Sequence, residues 1–211
     1  MIPGAASLAV FMVAALALNI SPGPDMLYVI SRSLELGRRA GVVSALGIGV
    51  GTLVYTFVTA IGLSALLVAV PIAFELVKFG GAAYLVYLGI RMLVAKANVK
   101  ASAHTPGRTN GLTLRSVFRQ GVTTNVLNPK VALFFLAFLP QFVDRSQGAF
   151  ALQMIFLGLL FDTSGTSVNV MVATLAGHVS ESLKKRSGFM RFQKLVPASI
   201  LITLGFLIAV R

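Results

Sequence analysis

Six apolar stretches occupy most of this chain, at roughly 5–31, 41–70, 72–95, 115–140, 148–178 and 194–210. Several are longer than the ~20 residues a helix needs to cross the hydrocarbon core of a bilayer, so they have to tilt or break. A soluble domain of this size needs charge to cover its surface. Here 56% of the 211 residues are hydrophobic in type and 11% are charged, against about 25% charged in an ordinary soluble domain. An ordinary cytosolic enzyme and a disordered chain are both excluded. The chain has no cysteine, so disulfides, thiolate metal sites and a cysteine nucleophile are excluded too. The expected fold class is all-α: one polytopic membrane domain of six transmembrane helices.

The net charge of +12 would suggest nucleic acid in a soluble protein. Position decides otherwise. Arg32, Arg38 and Arg39 fall in the first connection. Arg91, Lys96, Lys100, Arg108, Arg115 and Arg119 lie in and around the third, and Lys184, Lys185, Arg186, Arg191 and Lys194 in the fifth. Only Lys78, Arg145 and Arg211 belong to the other side. With six spans the odd connections share one face, and the positive-inside rule makes that face cytoplasmic. Both termini then lie outside. The basic residues set topology and touch anionic lipid, and no nucleic-acid partner is expected. The apolar N-terminal run lacks a basic leader and continues past residue 25, so it reads as a retained span and not as a cleaved signal.

The midpoint of the chain falls in the polar segment 98–111, which reads as a cytoplasmic linker between a first repeat, 1–97, and a second, 112–211. Three spans per half make the second half upside down relative to the first, an arrangement found in many transporters. The halves break at matched places. The first span is interrupted at Asn19-Ile20-Ser21-Pro22-Gly23-Pro24-Asp25 and the fourth at Asn125-Val126-Leu127-Asn128-Pro129-Lys130. The same offset carries Gly51 of the second span onto Gly158 of the fifth. Proline lacks an N–H and displaces the carbonyl four residues back, which frees Leu18, Ile20 and Asn125. In lipid such groups have to face protein or a wet cavity. Ser21 before Pro22 and Asn128 before Pro129 also read as helix starts, each with a capping residue and proline at the first helical position. Two half-helices would then begin near mid-membrane, with positive amide ends suited to an anionic group.

Charges at that depth are costly and usually functional. Asp25 lies inside the first half-helix, Lys130 follows the second break, and Asp162 opens the run Asp162-Thr163-Ser164-Gly165-Thr166-Ser167 in the fifth span. That run puts polar groups on every face, so it should point into the bundle and be partly unwound. Bland readings stand beside each. Asp25 could neutralise a helix dipole, Lys130 could pair with Asp25 or Asp162, and Asn19, Asn125 and Asn128 could satisfy the broken backbone. Asn169 suits core hydrogen bonding. Thr52, Tyr55, Thr56 and Thr59 lie near the depth of the breaks, Tyr55 either lining a cavity or bonding between helices. Gly47 and Gly51 form a GxxxG pair for close helix packing. Glu75 and Lys78 read as a surface pair. His104 and His178 are too far apart to make a metal site. No nucleotide-binding or hydrolytic motif is present, so neither an enzyme nor a cofactor is expected.

Three elements together resemble a known family. Ile20-Ser21-Pro22-Gly23-Pro24-Asp25, the segment Gly80-Gly81-Ala82-Ala83-Tyr84-Leu85-Val86-Tyr87-Leu88-Gly89-Ile90-Arg91, and Asn128-Pro129-Lys130 before a Phe-rich stretch resemble, in order and spacing, the lysine exporter / homoserine-threonine resistance (LysE/RhtB) family. The resemblance implies a secondary exporter of amino acids or close derivatives in a bacterial cytoplasmic membrane, driven by the proton gradient. The fifth span matches no family motif, so Asp162 rests on the physical argument alone.

A zwitterion needs an anion site beside a cation site. Lys130 and the two half-helix starts, built on Ser21, Pro22, Gly23, Pro24, Asn128 and Pro129, offer the first. Asp25, Asp162 and the freed carbonyls, with Asn19 and Asn125 near them, offer the second. Asp25, then Asp162, are the candidates to carry a proton. Alternatives remain at this point: export of another small ionic solute such as an inorganic ion or an acyl lactone, or a passive channel; a structural subunit would gain nothing from holding buried charges in lipid. The apolar exterior and Gly47/Gly51 would permit a homodimer.

Overall fold

A computed structural model describes residues 4–69, 73–94, 113–144 and 148–176, together with 195, 198–200, 202, 203, 205 and 206. Its regular elements among these residues are all helical. The first span is broken into α1 (Ala5–Ile20) and α2 (Pro24–Leu36), bent by 48°. After Gly37, α3 (Arg38–Ala69) and α4 (Ala73–Val94) follow. The fourth span is likewise two pieces, α5 (Leu114–Val126) and α6 (Pro129–Leu133). The second piece runs on as a π-helical turn, Phe134–Phe138, and a 3-10 turn, Leu139–Phe142. Its bend is also 48°. The long helix α7 (Phe150–Leu175) follows. Within the described residues α3 and α7 are each long and apolar enough to cross a membrane, and each bent pair counted as one span brings the number to four. The helix α4 lies where the third span is expected, and the helical residues 198–200, 202, 203, 205 and 206 lie where the sixth is. The linker 98–111, His104 and His178 are outside the described residues, as are the side chains of Glu75 and Lys78.

The contacts fix the directions of the helices. On the first broken span, Asp25 meets Asn125 and Tyr28 meets Val117 and Gln120. Further out, Phe11 packs on Phe142 while Leu18 and Ser21 meet Lys130. So α2 lies antiparallel to α5, and α1 antiparallel to α6. Gly41 of α3 faces Ala173 of α7, Gly49 faces Asp162 and Thr166, and Thr56 faces Gly158, so these two helices are antiparallel as well.

Glycine makes these crossings close, as the GxxxG pair predicts. A Cβ on Gly47 would strike the carbonyl of Phe118, and one on Gly51 would lie 2.8 Å from the Asn125 side chain. A Cβ on Gly158 would lie 2.6 Å from Thr56, and one on Gly165 3.0 Å from Asn19. With no hydrophobic force between helices in lipid, such backbone approach is a main source of association. The core between α1, α6 and α7 is aromatic. Phe11, Phe134, Phe135, Phe138, Phe142 and Phe161 are buried together, with Phe134 and Phe161 stacked at 4.1 Å. There the fully buried Gln153 accepts from the amide of Asp144 and donates to the carbonyls of Asp144 and Gly148.

Two expectations need correction. The polar run from Asp162 to Ser167 is not unwound: α7 is continuous through it. Thr163, Ser164 and Ser167 donate their hydroxyls to carbonyls one turn back, so the helix satisfies its own polar face even where Thr163 and Ser167 are exposed. Arg32 is not a connecting-loop residue. It sits on α2, 8% exposed, paired with Glu35 at 2.7 Å and lying over the Tyr28 ring. The reason is that α2 extends to Leu36 and the connection shrinks to Gly37, whose φ of +86° suits glycine.

Candidate functional site between the two breaks

The two interruptions end up beside each other. At the first, α1 stops at Ser21, whose amide donates to the carbonyls of Ala17 and Leu18. The start of α2 is Gly23, fully extended, with Pro24 at the first helical position. The sequence expectation placed this cap two residues earlier, at Ser21 and Pro22. Ser21 remains in reach of the last carbonyls of α1, so it closes that helix and leaves Gly23 to open the next. No side chain caps Gly23, so the amide end of α2 stays open. The second break follows the expectation: Asn128 caps α6 by accepting from the amide of Lys130 at 3.0 Å, with Pro129 first in the helix. Of the carbonyls that proline was expected to free, that of Asn125 accepts from the amide of Asn128 at 2.9 Å. Tyr55 of α3 reaches the same break, donating to the carbonyl of Val126 at 2.6 Å.

The lysine after the second break serves the first. The Lys130 ammonium donates to the carbonyls of Leu18 at 2.7 Å and Ser21 at 2.8 Å. Of the two ion pairs the sequence left open, neither forms: no carboxylate among the described residues lies within 4.0 Å of it. A cation is favoured at the carbonyl end of α1 by the helix dipole. Asp25 instead accepts from the Asn125 amide at 2.9 Å. Its other oxygen, Oδ1, is buried without a hydrogen-bond partner, as is Oδ1 of Asn125. Asp162 accepts from Thr166 at 3.2 Å. Asn19 donates to the carbonyl of Phe161 and to the Ser164 hydroxyl, tying the end of α1 to α7.

These groups surround one cavity of about 40 Å³. Its wall contains Asn19, Ser21, Gly23, Asp25, Asn125, Asn128, Lys130 and Asp162. Of the candidate residues only the three prolines, Pro22, Pro24 and Pro129, are outside that wall, exposed on the far side of the breaks they create. The wall also takes in Thr52, Thr166 and Asn169 and the apolar Leu18, Met26, Ile48, Val131 and Phe161. Asn169, read as a core residue, faces the cavity because it lies seven residues after Asp162 on one stripe of α7, with Thr166 between them. That spacing was available in the sequence. The apolar wall was not, since nothing distinguishes Ile48 from its neighbours on α3. A cavity this small has room for a few water molecules.

Comparison with known proteins decides the family. Residues 16–211 match the model of the LysE type translocator. The chain belongs to the LysE-type translocator family. It is therefore a membrane transporter by family, and its all-helical build, with several helices able to cross a membrane, agrees with that. It is 29% identical to the uncharacterized membrane protein YrhP of Bacillus subtilis over 89% of this chain and 90% of that one. It is 31% identical to the leucine efflux proteins of Salmonella typhimurium and Salmonella typhi over 64% of this chain. That alignment spans 62% of their length, less than two thirds. No solved structure matches the chain.

Proposed function

We propose that this translocator exports an amino acid or a close derivative across the bacterial cytoplasmic membrane, in exchange for protons. In this reading residues 1–97 and 112–211 are inverted repeats that rock around the cavity, with both termini outside. The observation that carries the proposal is the meeting of two broken spans around one small cavity walled by an ammonium and two carboxylates. The substrate carboxylate goes to Lys130 and the open amide end of α2. Its ammonium supplies the donor that the unpaired oxygens of Asp25 and Asn125 lack. An aliphatic side chain suits Leu18, Met26, Ile48, Val131 and Phe161, and the leucine efflux relatives make L-leucine the first probe. Asp25 carries the proton when no ammonium is bound, with Asp162 second in line.

The test is an efflux screen in liposomes, one amino acid at a time, with and without a pH gradient. The reading expects saturable efflux of some amino acids, accelerated by a proton gradient directed against it. Flux that never saturates and ignores the gradient would favour a channel. Transport that zwitterions fail to compete would favour a purely ionic solute.

A further inference from the structure

Lys130 occupies an odd place for a cation. It is the second residue of α6, where the dipole of its own helix is positive. Its ammonium crosses to the opposite kind of end, the carbonyl terminus of α1, and holds two carbonyls there. The path runs over Gly23: a Cβ at that position would lie 3.5 Å from both Cδ and Nζ of Lys130. One side chain thus touches the end of α1, the start of α2 and the start of α6. Both carbonyls are backbone groups at membrane depth, where an unsatisfied acceptor is expensive.

We propose that Lys130 locks the two breaks together until substrate binds, and that a substrate carboxylate releases the lock by taking over its ammonium. This deepens the amino-acid reading above and rests on it for the identity of the releasing ligand. An ammonium–carboxylate hydrogen bond, with both partners ionised, is stronger than one to a neutral carbonyl, and this offsets the cost of freeing the two carbonyls. An ammonium has three donors and two are in use on α1. A carboxylate in the cavity first takes the third and then competes for the others. As Lys130 leaves Leu18 and Ser21, the end of α1 is freed from α6. Occupancy of the site becomes permission to move, which is what a carrier needs and a channel does not.

The absence of native cysteine makes the test clean. Cysteines are introduced at Ile20, the exposed last residue of α1, and at Leu127, exposed in the second break, and carry spin labels for distance measurement by double electron–electron resonance in liposomes. With Lys130 present and no substrate, one narrow distance is expected, and L-leucine should broaden or shift it. Lys130→Met should lose the narrow distance without any substrate. Lys130→Arg, which can still donate to both carbonyls, should restore it. If Lys130→Met keeps the narrow substrate-free distance, the lock is wrong. Should the methionine variant fail to fold, Lys130→Leu, which also lacks a donor, is measured in its place with the same two outcomes. If leucine and the other amino acids leave the unsubstituted distance unchanged while Lys130→Met abolishes it, the lock stands and the amino-acid reading fails.

Discussion

At the scale of single residues, the site depends on how few partners its charges have. Asp25 accepts from Asn125, and its Oδ1 is buried without a hydrogen-bond partner. A buried acceptor without a donor is costly, so this oxygen is the open acceptor of the cavity wall. Replacing Asp25 by Asn keeps the shape and removes the titratable group. We predict that Asp25→Asn in liposomes loses the acceleration by a pH gradient while retaining some amino-acid exchange. Gradient-driven transport at the normal rate in that variant would take the proton role from Asp25. The sequence made Asp25, Lys130 and Asp162 visible because charge in an apolar run is rare. It did not reveal their partners. Both carbonyls that hold Lys130 are more than a hundred residues away, and local sequence carries no trace of such a contact. Arg32 was misplaced for a related reason: its burial depends on how far α2 runs, and helix ends are poorly specified by pattern.

Among the elements, the broken spans were legible because proline and asparagine act locally. Asn128 and Pro129 form the expected start of α6. Gly23 and Pro24 form a start two residues later than expected, since two prolines so close together compete for one role. The continuity of α7 was not legible. A run of Thr and Ser looks like a break in composition, yet hydroxyls can bond back to the preceding turn and leave the helix intact. Nothing in the sequence marks the π turn at Phe134–Phe138, where the helix widens against the aromatic core. Tyr55 matters at this scale, because its hydroxyl satisfies the Val126 carbonyl at the end of α5 and its ring stacks on Phe135. Tyr55→Phe keeps the ring and orphans the carbonyl, which should cost about 1–3 kcal/mol. Thermal unfolding in detergent should show a lower midpoint for Tyr55→Phe, and an unchanged midpoint would mean that another donor serves Val126.

For the whole molecule, the strongest sequence signal was the division of charge between faces. Arg38, Arg39, Arg115 and Arg119 are exposed at the starts of α3 and α5. Those helices run parallel, since Gly47 meets Phe118 and Gly51 meets Asn125, so the four arginines gather at one end. The positive-inside rule predicts that end to be cytoplasmic. A single cysteine at Arg39 should react with an impermeant thiol reagent applied from inside, and one at Gly4 with reagent applied from outside. The reverse pattern would invert the topology. Composition and spacing therefore carried the all-helical build and the bending of two spans, while the small cavity they enclose came from contacts between distant helices.

The central claim is that a solute is held between the two breaks, and Thr52 reports on it. Thr52 lines the cavity from α3 and bonds only within its own helix among the described contacts, to the carbonyl of Ile48. In Thr52→Cys, otherwise free of cysteine, the rate of modification by a small methanethiosulfonate reagent is measured as amino acid is added. The account predicts that a transported amino acid slows modification over the concentration range in which it saturates efflux, and that an amino acid that is not transported has no effect. A modification rate indifferent to the transported amino acid would contradict it.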